Sequence, residues 1–192
     1  MNNFRNIKSS SHSFSTCDGC ASECCDGSKN ILFSQILLSD FDQVSKYFPI
    51  LFTIGTQGYA RPVTLLTNGK DFCKYINNFK CTIYVTRPSV CRVYPLSPHI
   101  DNEIYIDNSC PAVSSKGGKN IDNTNILTEF DHDILKDYKE KYSETVFHFN
   151  DYNQAEHLDL VTTINEIKFY KFNKDFDDNY LKLHQKSLLL LK

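Results

Sequence analysis

The apolar residues of the chain fall into short β-prone runs in its first part and into helical spacings in its second. Early in the chain, one face of a predicted helix is formed by Phe41, Val44 and Phe48. Ser39 followed by Asp42 predicts a capping arrangement at the start of this helix, and Pro49 is expected to end it. Brief β-prone stretches separated by turn residues follow at Pro62–Leu66, Thr82–Thr86 and Glu103–Ile106.

The second part of the chain has three helical patterns. The first comprises Ile134, Leu135, Tyr138 and Tyr142, with Thr128 or Asp131 as its cap. The second comprises Leu158, Val161, Ile164 and Ile167, and the third comprises Tyr180, Leu183, His184, Leu188 and Leu191. Strand-prone runs followed by helical patterns predict an α+β fold, in which a small irregular module precedes a helical part.

The distribution of cysteines divides the chain. All eight lie between Cys17 and Cys110. We therefore expect a disordered or extended N-terminus over residues 1–16 and a cysteine-rich module over 17–113. Residues 114–125 are rich in Ser, Gly, Lys and Asn, which is typical of a linker or surface loop, and a helical extension packed on the module is expected over 126–192.

Composition narrows the classes of function. The 192 residues include 41% hydrophobic positions and carry a formal charge of −2, without a basic stripe for nucleic acid. We expect no membrane span and no signal peptide, because the sequence lacks the apolar segments that these require. The expected location is therefore the reducing cytoplasm, where clustered cysteines are more often metal ligands or catalytic groups than disulfides.

The first cysteine cluster has the pattern C-x2-C-x3-C-C and consists of Cys17, Cys20, Cys24 and Cys25. A C-x2-C pair can bring two sulfurs to one ion across a tight turn, and Gly19 supplies backbone freedom for it. Adjacent side chains diverge in both strands and helices, so Cys24 and Cys25 do not form a simple chelate. They could serve two metal centres, one could bind while the other packs, or they could form a strained vicinal disulfide.

The second group of cysteines is dispersed and consists of Cys73, Cys81, Cys91 and Cys110. Arg87 and Arg92 flank Cys91, and positive charge lowers a thiol pKa and favours the thiolate that binds metal. The two arginines are therefore either supports of a thiolate site or ordinary surface ion-pairing residues.

These residues together resemble the CxxCxxxCC cysteine-cluster family, also called YkgJ-type, described as a zinc- or iron-chelating domain. The resemblance covers residues 17 to 113 and rests on the first cluster, Cys73, the segment C-T-I-Y-V-T-R-P-S-V-C-R-V-Y-P from Cys81 to Pro95, and Cys110-Pro111. It implies a metal or iron–sulfur centre held by Cys17, Cys20, Cys24, Cys25, Cys73, Cys81, Cys91 and Cys110. The family includes relatives of flagellin lysine N-methylases, so a protein-modifying or iron–sulfur redox enzyme is the alternative function.

The identity of the metal stays open at this stage. Zinc and iron–sulfur centres both accept four thiolates, and the first cluster does not match the ferredoxin spacing. His99, between Cys91 and Cys110, is the best histidine candidate for a ligand, although an exposed loop residue is the favoured interpretation. No glycine-rich nucleotide motif occurs, and the chain offers no basis for choosing a protein partner.

Overall fold

In the computed structural model, the residues that the structure describes are 3–9, 11–16, 20–29, 31–55, 57–113, 118–121, 130, 132–152 and 155–191. Within them the β-strands are β1 (Phe4–Asn6), β2 (His12–Phe14), β3 (Phe33–Gln35), β4 (Ile50–Ile54), β5 (Ala60–Leu65), β6 (Ile76–Asn77), β7 (Lys80–Cys81), β8 (Leu96–Pro98), β9 (Ile104–Asp107), β10 (Lys119–Ile121), β11 (Leu158–Ile164) and β12 (Ile167–Phe172). The α-helices are α1 (Phe41–Val44), α2 (Ser89–Val93), α3 (His132–Leu135), α4 (Tyr138–Asn150) and α5 (Asn179–Ser187). Mixed helices and strands confirm the predicted α+β class.

The largest sheet joins the two parts of the chain. Its five antiparallel strands have the order β11-β12-β4-β5-β3, so the central strand β4 lies between a strand from the first part and one from the second. Smaller sheets have the orders β1-β9-β8, β10-β2 and β6-β7. Residues on both sides of position 115 therefore share one sheet.

Both faces of the five-stranded sheet are covered by apolar side chains. On one face, the aromatic rings of Phe52, Phe149 and Phe172 pack with their centroids about 5 Å apart. On the other face, Leu51, Val63 and Phe169 form a separate buried cluster. Successive residues of β4 alternate between these clusters, as the period of two along a strand requires.

The predicted helix at Phe41 is confirmed, although its cap is a different residue. Phe41, Val44 and Phe48 are buried as expected. A short 3-10 turn over Leu38–Asp40 precedes the helix, and Asp40 Oδ2 accepts a 2.9 Å hydrogen bond from the Leu37 N–H. The predicted capping roles of Ser39 and Asp42 are wrong. The capping carboxylate belongs to Asp40, and the amide that it accepts from is that of Leu37, at the start of the 3-10 turn.

Two sequence-based element predictions are also wrong. Thr82–Thr86 is not a strand but a turn leading into a 3-10 helix over Tyr84–Thr86, in which the Val85 side chain is 89% exposed. Leu158–Ile167 is not a helix but the hairpin of β11 and β12. A bulge between Leu160 and Thr162 breaks the alternation of the strand, and it produces the three-residue spacing that resembled a helix.

The third predicted helix of the second part is confirmed. Helix α5 contains Tyr180, Leu183 and His184, and a 3-10 turn over Leu188–Leu190 continues it. Its cap is Asp178, whose Oδ1 accepts a 2.8 Å hydrogen bond from the Leu181 N–H. The first pattern corresponds to α3 and α4, whereas its proposed caps Thr128 and Asp131 lie outside the described residues. The described helices include none that is long and apolar enough to cross a membrane.

Candidate metal centre

The segment that carries the adjacent cysteines lies alongside residues 71–79. Three hydrogen bonds join the two segments, and they run from Ser22 Oγ to the Phe79 carbonyl (2.6 Å), from the Cys73 N–H to the Cys25 carbonyl (2.8 Å) and from the Gly27 N–H to the Asp71 carbonyl (3.0 Å). Asp26 also forms an isolated antiparallel bridge with Phe72. Cysteines that are 48 positions apart in the chain are thus held together by main-chain bonds.

Gly27 allows this close approach because it has no side chain. A β-carbon at this position would lie 2.5 Å from the Asp71 carbonyl oxygen and 2.7 Å from Thr67 Oγ1. Real β-carbons do not approach other atoms so closely, so any larger residue would push the two segments apart. The glycine that follows the adjacent cysteines therefore sets the distance between them and the 67–73 loop.

A tight hairpin positions another thiol. Strands β6 and β7 place Cys81 opposite Ile76, and the two-residue turn between them consists of Asn78 and Phe79, with φ angles of 48° and 57°. Both angles are positive, as a type I′ hairpin turn requires. The chain then reaches α2, which begins after Pro88 and carries Cys91.

The thiols of these segments influence one another electrostatically. Cys24 Sγ and Cys25 Sγ are 3.8 Å apart. The hydrogen bond from Cys25, together with the nearby charge of Arg87, lowers the pKa of Cys24 to about 7, whereas the same bond and burial raise the pKa of Cys25. Burial, together with the charges of Cys24 and Cys73, raises the pKa of Cys91 to about 12, and burial raises the pKa of Cys73. Cys81 contributes charge repulsion to both Cys73 and Cys91.

Arg87 is the cation of this thiol cluster, which comprises Cys24, Cys25, Cys73, Cys81 and Cys91. Its guanidinium lies 3.8 Å from the centre of the Tyr84 ring. Its Nε is buried and has no hydrogen-bond partner among the described residues, and its charge lowers the pKa of both Cys24 and Cys91. A buried N–H donor without an acceptor is unfavourable, and an anionic thiolate cluster beside it would supply the acceptor.

The other predicted site residues have different surroundings. Cys110 is buried in a separate apolar cluster with Val93 and Leu96, although its charge and that of Cys24 both help to raise the pKa of Tyr94, for which burial is the main cause. Cys20 is half-buried and Arg92 is exposed at the end of α2. Cys17 and Gly19 lie outside the described residues. No disulfide joins any two of the seven described cysteines.

The chemistry of the thiol cluster is compatible with a metal ion or an iron–sulfur centre. Zinc, iron and iron–sulfur clusters all accept thiolates as ligands. The Nε–H of Arg87, which has no partner among the described residues, could donate to thiolates that carry excess negative charge. Within the described part of the chain, no three His, Cys, Asp or Glu side chains are close enough together to hold one ion. The described thiols are therefore neighbours, not a closed set of ligands.

His99 lies apart from the thiol cluster. Its exposed ring is 3.2 Å from Asp101 Oδ1 and packs edge-on against Tyr105. This is the exposed loop position that the sequence favoured. His184, in the second part of the chain, is completely buried among the aromatic residues of the main core.

Sequence reasoning missed the residues that hold the two cysteine groups together. Ser22, Asp26 and Gly27 connect the first cluster to the 67–79 region. Asp26 also accepts hydrogen bonds from the N–H and hydroxyl of Ser28, at 2.9 and 2.7 Å. The D-G-S sequence after the cysteines is a recognisable turn signal, and it could have indicated a fixed loop at this point.

Comparison with known families supports metal chemistry. A family model described as "CxxCxxCC: Putative zinc- or iron-chelating domain" matches residues 16–111, which is half of the chain and includes all the cysteines. No curated protein and no solved structure matches the chain. The matched range contains the thiol cluster, α2 and both arginines, whereas α4, α5 and the β11–β12 hairpin lie beyond it.

Proposed function

The chain belongs to the CxxCxxCC family of zinc- or iron-chelating domains, and we propose that it holds zinc or iron through the thiolates of its clustered cysteines. The observation that carries this proposal is the 2.8 Å main-chain hydrogen bond from Cys73 to Cys25, which holds cysteines of two separate segments side by side. Clustered thiolates repel one another, so a bound cation would stabilise their ionised form.

The proposed ligands form a centre and a periphery. The centre is the thiol cluster with Arg87 as its supporting cation. The peripheral ligands are Cys17 and Cys20, which precede it in the same sequence motif, and Cys110, which lies within the matched family range. Arg92 is a supporting charge on the same helix as Cys91.

Three of the central thiols would have to lose protons on binding. Cys25, Cys73 and Cys91 have raised pKa values, so they are protonated near neutral pH. Cys24, with its pKa of about 7, is the thiol most ready to meet an incoming cation. When bound, the metal would supply the positive charge that lets the remaining thiols ionise, and Arg87 would neutralise part of the excess thiolate charge.

Eight cysteines exceed the needs of one zinc ion, so the finer forms of this proposal are two zinc sites of four thiolates each, one iron–sulfur cluster with spare thiols, or one dinuclear site. We also propose a reducing compartment, because clustered cysteines in a reducing cell are more often metal ligands than disulfides. Alkylation of thiols in intact cells, followed by mass spectrometry, tests the compartment. Disulfide-linked cysteines in the cellular protein would contradict it.

Elemental analysis of the full chain, purified without oxygen, tests the metal itself. We expect at least one zinc or iron per chain, with broad visible absorbance near about 400 nm if iron and sulfide are present. Cys73→Ser and Cys91→Ser should lose the metal, whereas Ser97→Ala, a matched change of a polar residue on β8, should retain it. The proposal fails if the purified protein has no metal and, after reduction, binds neither zinc nor ferrous iron in a competition titration.

A further inference from the structure

A cleft of about 400 Å³ opens at the end of the five-stranded sheet, where β4 and β12 part. The two described strands pair at Phe52 and Tyr170, and the same register would place Ile54 opposite Lys168. Ile54 and Lys168 do not pair, and both line the cleft instead. Because the strands separate at this point, side chains from both can reach a molecule bound between them.

Arg61 provides the main polar group of this cleft. It lies on β5 opposite Thr53, and both residues line the cleft. The Nε of Arg61 is buried without a hydrogen-bond partner, and within the described part of the chain no hydrogen bond or ion pair to its guanidinium is formed. A buried guanidinium donor without an acceptor is costly, and a bound anion would satisfy it.

Gly55 leaves space for this guanidinium. A β-carbon at position 55 would lie 3.1 Å from Arg61 Nε and 3.4 Å from Cζ, which is closer than most real contacts of this kind. The side chain of Arg61 therefore lies against the bare backbone of Gly55. This packing fixes the guanidinium in place instead of leaving it free to extend into solvent.

A second unsatisfied donor lies on the same sheet face. Gln35 is opposite Val63, which makes it the diagonal neighbour of Arg61, two residues along β5. The Nε2 of Gln35 is also buried and has no partner among the described residues. Two buried donors on one face of the sheet thus lack acceptors, and of the two only Arg61 lines the cleft. Buried polar groups in folded proteins are nearly always paired.

Charged side chains at the rim of the cleft also favour an anion. Lys168 and Glu166 line it, so together with Arg61 the cleft has an excess of one positive charge. Glu166 is the second residue of the two-residue turn between β11 and β12 and has a φ of 67°, a conformation that favours glycine or asparagine. The strained position keeps a carboxylate at the rim, where it can accept a hydrogen bond from a ligand N–H or O–H.

From these observations we infer that the cleft binds a small oxyanion, a carboxylate or phosphate group, which accepts hydrogen bonds from Arg61 and is held further by Lys168. The site is separate from the cysteine centre in its chemistry, because none of the described residues that line it is a cysteine. Its ligand would reach it from solvent through the gap between β4 and β12.

Titration of the isotope-labelled full chain with inorganic phosphate and, separately, with sodium acetate tests this site by nuclear magnetic resonance. Ionic strength is held constant so that general screening does not mimic binding. We expect one of the two anions to shift the Arg61 Nε–H signal saturably, with a Kd on the order of 1 mM or tighter. Saturation by phosphate alone would assign a phosphate site, and saturation by acetate alone a carboxylate site.

Variants separate a built site from nonspecific attraction. Arg61→Gln should weaken binding by at least about tenfold, and Lys168→Gln by about threefold. Arg5→Gln, which removes the same charge from β1 in another sheet, should leave the Kd unchanged. If Arg61→Gln does not fold, Gly55→Ala provides the second test, because the added methyl group displaces the guanidinium and should weaken binding several-fold.

Two results would overturn the inference. One is the absence of saturable shifts with either anion up to about 50 mM. The other is an equal loss of binding in Arg5→Gln and Arg61→Gln, which would indicate only the general charge of the protein. Metal content, measured on the same samples, distinguishes a failure of this site from a failure of the cysteine centre.

Discussion

The main-chain N–H of Cys73 donates a 2.8 Å hydrogen bond to the carbonyl of Cys25. This bond connects a cysteine of the first cluster directly to one of the dispersed group. Because the backbone and not a side chain makes the connection, it does not depend on metal for its geometry. The bond places cysteines of the two groups side by side in the fold, so a cation bound there would act on both groups at once.

Gly27→Ala should loosen this connection. The added methyl group would collide with the Asp71 carbonyl and Thr67 Oγ1, so we expect a loss of about 1–3 kcal/mol in the free energy of unfolding and weaker metal binding. Chemical denaturation and a zinc competition titration measure the two effects. Gly58→Ala is the control for metal affinity only: a β-carbon there meets no atom within 4 Å, but its φ of +83° makes any side chain strained and so lowers stability by itself. Unchanged metal affinity in a folded Gly27→Ala protein would contradict the proposed role of this glycine.

Thiol reactivity in the metal-free protein should follow the order of pKa values. At pH 7 we expect iodoacetamide to modify Cys24, whose pKa is lowered to about 7, well before Cys91, whose pKa is raised to about 12. Timed alkylation with peptide mass spectrometry measures both rates. Arg87→Gln should raise the pKa of Cys24 and slow its modification several-fold, whereas Arg5→Gln should not. Equal rates at Cys24 and Cys91 would show that the coupling is absent.

Metal affinity should increase with pH. Burial and neighbouring thiols raise the pKa of Cys73 and Cys91, so these groups must release protons when they bind an ion as thiolates. Lowering the pH keeps them protonated and weakens binding. Calorimetry in two buffers with different ionisation enthalpies counts the released protons, and we expect more than one per ion at pH 7. Release of no protons would exclude these thiols as ligands.

The stability of the fold should fall between pH 6.5 and pH 4 because of His184. This side chain is completely buried, its Nδ1 donates to the Ile50 carbonyl at 2.8 Å, and its Nε2 accepts from the Phe172 N–H at 3.2 Å. Burial lowers the pKa of His184 from 6.5 to about 4. The bond that Nε2 accepts requires a neutral ring, whereas the Nδ1–H can donate to the Ile50 carbonyl in either state. Burial outweighs that bond and makes the neutral ring the favoured form in the folded protein.

The sign of this effect follows from proton binding. As the pH falls below 6.5, the unfolded chain binds a proton at His184 and the folded chain does not, so the free energy of unfolding decreases by about 3 kcal/mol before it levels off near pH 4. Urea denaturation across this range, compared between the protein and His184→Gln, measures the contribution. If the variant does not fold, the ring resonances of His184 should still titrate below pH 5 in the unmodified protein, and a normal titration near 6.5 would refute the assignment.

The sequence predicted the chemistry of the site better than the arrangement of the fold around it. The spacing of Cys17, Cys20, Cys24 and Cys25 and the motif around Cys91 identified the family correctly, because thiol ligands must be specified residue by residue. The sequence could not indicate that the carbonyl of Cys25 accepts a hydrogen bond from Cys73, because main-chain hydrogen bonds do not depend on the type of side chain. Gly27 was missed, because its contact with Asp71 arises only after folding.

Secondary structure was predicted correctly in segments where a single hydrophobic periodicity dominates. Helix α5 was found because Tyr180, Leu183 and His184 recur at helical spacing and pack on one core. The β11–β12 hairpin was missed because its bulge disturbs the period of two. Without a partner strand, the aromatic and β-branched residues of Thr82–Thr86 adopt a turn and remain largely exposed, which shows that β-propensity alone does not form a strand.

The place of β4 between β5 and β12 has a consequence for synthesis of the chain on the ribosome. Its β5 edge can be paired as soon as residue 65 has emerged, but its other edge stays open until Phe172 emerges. At elongation rates of about 5–20 residues per second, this edge would stay unpaired for roughly 3–12 s after the last cysteine has been added. The whole cysteine-containing part of the chain is thus synthesised before the central sheet can be completed.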